Sequence, residues 1–247
     1  AKLLPLTLLK TLLLKSPKPS ATAAIILKHD TQGAIQAIPL THNNLLTNLQ
    51  QIASVYNISD HDVLLATLPS YHSLGLITSL LLPLVEGMPI VCHNNPTDTA
   101  MLGKLIFHYN ATLLFSSPTL YARYHHSDPL DPLMLASLRI AVSGIERLPP
   151  SLAQAFCQQF KQPLYTCYGT SEVCAIASCN LPDILTEIDW RTHVFNKPNT
   201  VGLPLPGTVF QITDITTNEP VSTGKPGVVW VGGAQVMPPN DQTSTPS

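Results

Sequence analysis

Residues able to do chemistry gather at Gly169-Thr170-Ser171-Glu172, directly behind the run Leu164-Tyr165-Thr166-Cys167-Tyr168. That run reads as a buried strand, and the glycine lets the backbone turn and approach a ligand closely. Two hydroxyls and a carboxylate then arrive in succession. Hard oxygen donors of this kind suit Mg²⁺ or a phosphate-bearing substrate. A solvated surface turn accounts for the same four residues, so their meaning depends on what positions them. The other reactive side chains are less suggestive. Adjacent His125 and His126 cannot both face one metal from a helix and read as solvated. Cys92, Cys157, Cys167, Cys174 and Cys179 are odd in number and lack C-x-x-C spacing. They read as reduced thiols of a cytosolic protein, with neither a disulfide framework nor zinc implied.

Strands and helices alternate around that turn. Ala23 to Leu27 is strand-like, Gly33 marks a turn, and Ile38 to Leu40 is again extended. Thr41 can cap a helix with Leu45, Leu46, Leu49, Ile52 and Ala53 on one face. Asp62 to Leu68 reads as a strand closed by Pro69, followed by an apolar helix from Ser73 to Leu84. Met88 to Val91 is a strand, Thr97 caps a helix to Tyr109, and Ala111 to Phe115 is a strand. A helix from Pro118 to Tyr124, a strand from Leu138 to Val142 and a helix opened by Pro149-Pro150 complete the series. Such alternation, with continuous apolar strands, predicts an α/β fold whose mainly parallel sheet is covered by helices. From Thr200 the pattern changes to short strands with turn signals, at Val209 to Ile212, Asn218 to Pro220 and Gly227 to Val231. The expected organisation is an α/β body over 1–199, a small β-lobe over 200–237 and a frayed tail over 238–247.

The 247 residues suffice for one large domain or two lobes. Only 11% are charged, against roughly 25% in an ordinary soluble domain. A net charge of −2 offers no attraction for nucleic acid. The first stretch, Lys2 to Lys15, is leucine-rich with three lysines and falls short of the roughly 20 apolar residues that span a bilayer. It reads as a packed amphipathic helix, with a membrane-surface helix or a signal peptide ending near Ala21-Thr22-Ala23 as alternatives. An opening alanine suggests a piece of a longer chain.

Five segments in fixed order resemble the adenylate-forming superfamily of acyl-CoA and acyl-carrier synthetases. They are Leu68-Pro69-Ser70-Tyr71-His72-Ser73-Leu74-Gly75-Leu76, Ser143-Gly144-Ile145-Glu146-Arg147-Leu148-Pro149-Pro150, Tyr168-Gly169-Thr170-Ser171-Glu172, Thr200 to Gly207, and Gly227 to Gly233. Within that superfamily, Asn94-Asn95-Pro96-Thr97-Asp98 and Asp131 to Arg139 are most similar to the synthetase half of the bifunctional acyl–acyl-carrier-protein synthetase/2-acylglycerophosphoethanolamine acyltransferase. The resemblance runs from Leu3 to Met237. It implies the large N-terminal lobe of an adenylate-forming enzyme, with ATP and Mg²⁺ as cofactors. Glu172, Ser171 and Thr170 match its catalytic motif, with Glu172 as the Mg²⁺ contact. Thr31, Gly33, Gly144, Ile145, Glu146, Tyr168 and Gly169 match its nucleotide-binding positions. His72, Ser73 and Gly75 match the border of its acyl pocket, where a helix-capping histidine is an equal reading of His72.

The sequence departs from that family in its phosphate loop, which needs small residues whose N–H groups wrap phosphates and a lysine to neutralise them. The matching stretch is Lys28-His29-Asp30-Thr31-Gln32-Gly33-Ala34-Ile35-Gln36-Ala37. Asp30 and Ala37 take glycine positions and Gln36 takes that of the lysine. Lys28 and His29 lie at the wrong end of the loop to compensate. At an effective dielectric near 20, a carboxylate about 4 Å from a phosphate charge costs about 4 kcal/mol. That is half of a micromolar binding energy of about 8 kcal/mol. Ile145 is bulkier than the family's alanine, and Cys167 stands at a family glycine; both crowd the nucleotide. The family's ribose-binding aspartate, hinge and C-terminal lid with its catalytic lysine are absent from the 247 residues.

Two functions of different class follow. One is an acyl-activating ligase, in which fatty acid and ATP give acyl-adenylate and pyrophosphate before transfer to a phosphopantetheine thiol, serving phospholipid re-acylation. The other, favoured by the altered loop and missing lid, is a non-catalytic pseudo-synthetase that binds or regulates. A structural module stabilising fused domains is a third reading. Expected partners are a fatty acid or acyl chain, acyl-carrier protein, and fused acyltransferase or membrane-transporter domains. The expected location is the cytoplasmic face of the inner membrane.

Overall fold

Two hydrophobic runs near the start pair as an antiparallel hairpin, β1 (Thr22–His29) with β2 (Ile35–Thr41), placing Lys28 opposite Gln36. This is seen in the computed structural model, which describes residues 17–29, 33–185 and 192–239. The expected N-terminal helix, Asp30, Thr31 and most of the expected tail lie outside the described residues. Strand alternation turns Ile26 and Lys28 to the same side of β1, toward the body. Ile26 is buried, whereas Ile25 and Leu27 are exposed.

The main sheet is built from β3 (Leu64–Ala66), β4 (Ile90–Cys92), β5 (Leu113–Ser116), β6 (Ile140–Ser143), β7 (Leu164–Tyr168) and β8 (Ser178–Cys179). Past β8, β9 (Ile184–Leu185) and β10 (Thr192–His193) pair in a short ribbon, and β11 (Leu203–Pro204) then joins the main sheet. The strand order is β11-β8-β7-β6-β5-β3-β4. The five strands from β4 to β7 are parallel, β8 runs antiparallel to β7, and β11 pairs antiparallel with β8 at the edge. Successive residues of the central strands feed opposite cores, as the two-residue period requires. Leu64, Leu113, Phe115, Ile140 and Val142 join the core that includes the helix His42–Val55. Leu65, Leu114 and Ala141 join the core beneath the helices Thr99–Tyr109, Pro118–His125 and Pro150–Phe160. The expected α/β fold with a mostly parallel, helix-covered sheet is therefore present.

Local departures have physical causes. Asp62 lies outside β3 because its carboxylate is held by Arg139, through Nε and Nη2 at 2.7 and 2.6 Å. The helical run 73–86 is interrupted by a π-helical segment, Leu76–Leu81. Asp98, rather than Thr97, caps the next helix, accepting from the Met101 N–H at 3.1 Å. Thr97 instead donates to Asn95. Leu46 is half exposed rather than on the buried face of its helix. His125 is not freely solvated, because its ring bonds Gln159. Beyond β11, β12 (Val209–Thr213) pairs antiparallel with β13 (Val228–Gly232). The expected extended stretch Asn218 to Pro220 contributes only a single bridge, Thr213 to Pro220.

Candidate functional site

The turn after β7 is shaped by close backbone packing. A Cβ on Gly169 would lie 1.9 Å from the Ala175 carbonyl oxygen, so no larger residue fits. Thr170 leads into a 3-10 turn, Ser171–Val173. The Met237 N–H donates to the Glu172 carbonyl at 2.7 Å, and the Ser171 hydroxyl donates to Ser73 Oγ at 3.2 Å. The second bond draws the matched segment around Ser73 to this turn. Ser73 opens the helical run 73–86 and Ile145 follows β6. Both line, with Lys28, His72, Thr170 and Glu172, a cavity of about 220 Å³.

Lys28 Nζ donates to Glu172 Oε1 across this cavity. Burial raises the Glu172 carboxyl, but Lys28, helped by the Glu172 backbone N–H and by Thr170, outweighs this and holds it below its ordinary value. Lys28 is thus a site residue, although its position at the start of the loop had argued against it. The signal was its two-residue spacing from Ile26. His72 fulfils the capping alternative, its Nδ1 accepting from the Leu74 N–H at 3.2 Å. It also lines the cavity, and burial lowers its pKa, keeping the ring neutral near pH 7. With Nδ1 as acceptor, the neutral ring carries its hydrogen on Nε2.

Other matched residues spread over a second groove of about 890 Å³, where Ile145, Glu146, Tyr168, Gly169 and Thr170 meet Asn180 and Thr200. Ile145 lines both cavities and adopts φ 73°, a left-handed conformation costly for a β-branched residue. Glu146 accepts from the Thr119 hydroxyl at 2.9 Å. Gly144 sits behind, where an added Cβ would meet Cys167 Sγ at 2.7 Å. Gly75 packs on the Pro69 carbonyl and is not a lining residue. Gly33 is exposed in the hairpin turn.

One set of positioning residues escaped the sequence reading. Asn44, Asn48 and Gln51 are buried on one face of the helix His42–Val55, spaced by four and three residues. Asn44 Nδ2 donates to the Ala234 and Val236 carbonyls at 2.9 and 2.7 Å. Asn48 Nδ2 donates to the Ile176 carbonyl at 2.7 Å, and its Oδ1 accepts the Ile176 N–H at 3.3 Å. Gln51 Nε2 donates to the Pro206 carbonyl at 2.7 Å. These amides fix the segment after Glu172 and the two ends of the β12–β13 hairpin. Three amides at helical spacing were the available clue.

A Mg²⁺ ion fits poorly here. Glu172 Oε2 is buried without a hydrogen-bond partner among the described residues, but Oε1 already faces an ammonium. A divalent ion about 4 Å from that ammonium would be opposed by about 8 kcal/mol at an effective dielectric near 20. No cluster of three His, Cys, Asp or Glu able to hold a metal occurs among the described residues. The larger groove has room for a nucleoside, whereas Lys28 is the one cation among the described residues lining the small cavity.

The AMP-binding enzyme family matches residues 14–239, and the chain belongs to it. It is 30% identical over 210 residues to a long-chain-fatty-acid–CoA ligase of Escherichia coli O157:H7, covering 84% of this chain and 36% of the relative. A long-chain-fatty-acid–CoA ligase of Bacillus subtilis is 28% identical over 235 residues, covering 92% and 40%. Among solved structures, apo MatB from Rhodopseudomonas palustris superposes with a TM-score of 0.79 at 24% identity, covering 91% and 42%. The chain therefore spans well under half the length of these proteins. The Escherichia coli and Bacillus subtilis relatives bear the CoA-ligase name, so the superfamily resemblance stands at that coarser level. No helix among the described residues is long and apolar enough to cross a membrane.

Proposed function

We propose that this domain is an acyl- and nucleoside-binding body of acyl-activating ancestry that does not itself carry out ATP-dependent activation. The observation that carries this reading is the Lys28–Glu172 pair, which occupies the carboxylate that the family resemblance assigns to Mg²⁺–ATP. The left-handed Ile145 and the Cys167 thiol packed against Gly144 support it, since both add bulk where a nucleotide would lie. The narrower likeness to an acyl-carrier-protein synthetase receives no extra support. Asp98 caps a helix, Asp131 caps a 3-10 turn and Arg139 holds Asp62, all structural tasks.

The test is calorimetry with ATP and Mg²⁺, paired with fatty-acid-dependent pyrophosphate release on the longest natural form of the chain. Neither Mg²⁺-dependent ATP binding nor pyrophosphate release is expected. Pyrophosphate release abolished by Glu172→Ala would establish an active ligase and overturn the reading.

A further inference from the structure

We propose that the Lys28 ammonium stands in for a divalent cation at Glu172, making the small cavity a metal-independent site for a singly charged oxyanion. The inference rests on reading this cavity as a ligand site. Its charge balance argues against multiply charged anions, and its donors set the ligand class. A divalent ion beside one carboxylate would leave one positive charge, whereas Lys28 beside Glu172 leaves none. Among the described residues, no other cationic side chain lines the cavity. A triphosphate, with about four negative charges, would find little compensation there.

The donor set nevertheless remains rich. An ammonium has three hydrogens, of which Glu172 takes one. The Ser171 hydroxyl is committed to Ser73 and Thr170 to Glu172, but the Ser73 hydroxyl and the His72 ring line the same cavity, so neutral donors stand beside one cation. That combination suits a fatty-acid carboxylate or a phosphodiester. A cavity of about 220 Å³ accommodates such a headgroup but not a whole nucleotide.

The test titrates the full chain by calorimetry with dodecanoate and, separately, with the methyl ester of AMP, each in EDTA and in excess Mg²⁺. At least one probe is expected to bind equally under both conditions. Lys28→Met should weaken that binding by about tenfold or more, as loss of a charged hydrogen bond does, and Lys28→Arg should retain most of it. Binding that strengthens with Mg²⁺ in the unaltered chain, failure of both probes to bind, or Lys28→Met binding as well as the parent would each overturn the proposal. The comparison of EDTA with Mg²⁺ decides even if Lys28→Met does not fold. Pyrophosphate release in EDTA would refute the non-catalytic reading while leaving this one standing. Mg²⁺-strengthened binding without turnover would do the reverse.

Discussion

Lys28 and Glu172 are separated by 144 residues, yet the lysine ammonium donates to the Glu172 carboxylate and ties the β1–β2 hairpin to the turn after β7. Their side chains are 37% and 27% exposed, so water screens the pair. Glu172→Gln should therefore cost only about 1 kcal/mol in urea denaturation near neutral pH. The folded-state pKa of Glu172 is depressed. Its contribution is thus complete above the unfolded value of about 4.3 and is lost as pH falls through the folded value. The gap between parent and Glu172→Gln should stay constant from neutral pH down to that region and close below it.

Asn48 offers a sharper test of the amide face, because its side chain both donates to and accepts from the Ile176 backbone. Asn48→Ala would strand two buried backbone groups, each costing about 1–3 kcal/mol. A loss of roughly 2–6 kcal/mol is expected, with faster proteolysis of the segment following Glu172. Asn48→Asp keeps the acceptor but places a carboxylate against the Ile176 carbonyl, so it should rescue little.

The parts visible in the sequence were those set by local pattern. Apolar runs announced β5, β6 and β7, and Thr41 announced its helix as a cap, which the structure completes as a capping box with Asn44. The turn Gly169–Glu172 was recognisable from residue types alone. What escaped was the meeting of distant segments. Lys28 looked misplaced along the loop, because its value lies in the face of β1 it shares with Ile26 and in a partner 144 residues away. Asp62 looked like a strand residue, because its attraction to Arg139 acts over 77 residues. The strands β8 and β11 were too short to carry a pattern; the backbone bonds between them set their pairing.

The Asp62–Arg139 pair should dominate the acid sensitivity of the body. Burial raises the Asp62 carboxyl, but hydrogen bonds from Arg139, Thr112 and the Ser59 N–H together hold it below its ordinary value. Arg139 also donates to the Tyr56 carbonyl at 2.9 Å, so its loss strands a buried carboxylate and a loop. Arg139→Ala should cost about 3 kcal/mol near pH 7. That corresponds to a melting temperature lower by roughly 6–12 °C. The depressed pKa means this stability is present above about pH 3.9 and lost as pH falls through the folded value. Melting scans from neutral to acid pH should therefore show the variant's deficit shrinking at the acid end.

Gly144 and Cys167 should be energetically coupled, since they share the space behind the candidate site. A Cβ on Gly144 would lie 2.7 Å from Cys167 Sγ and 2.8 Å from Leu74 Cδ2, well inside contact distance. Gly144→Ala should therefore destabilise by about 1–3 kcal/mol through overpacking. Cys167→Gly removes the thiol, whose burial raises its pKa and keeps it protonated, and so frees one of the two obstacles. In that background Gly144→Ala should cost about half as much, giving a coupling energy on the order of 1 kcal/mol in a double-mutant cycle. Strict additivity would mean that the strand β7 and the segment after β6 yield independently, and that Cys167 does not set the floor of the groove. If the coupling is found, Cys167→Gly should also enlarge the nucleoside-sized groove, and tighter adenosine binding by that single variant would be the functional counterpart of the same contact.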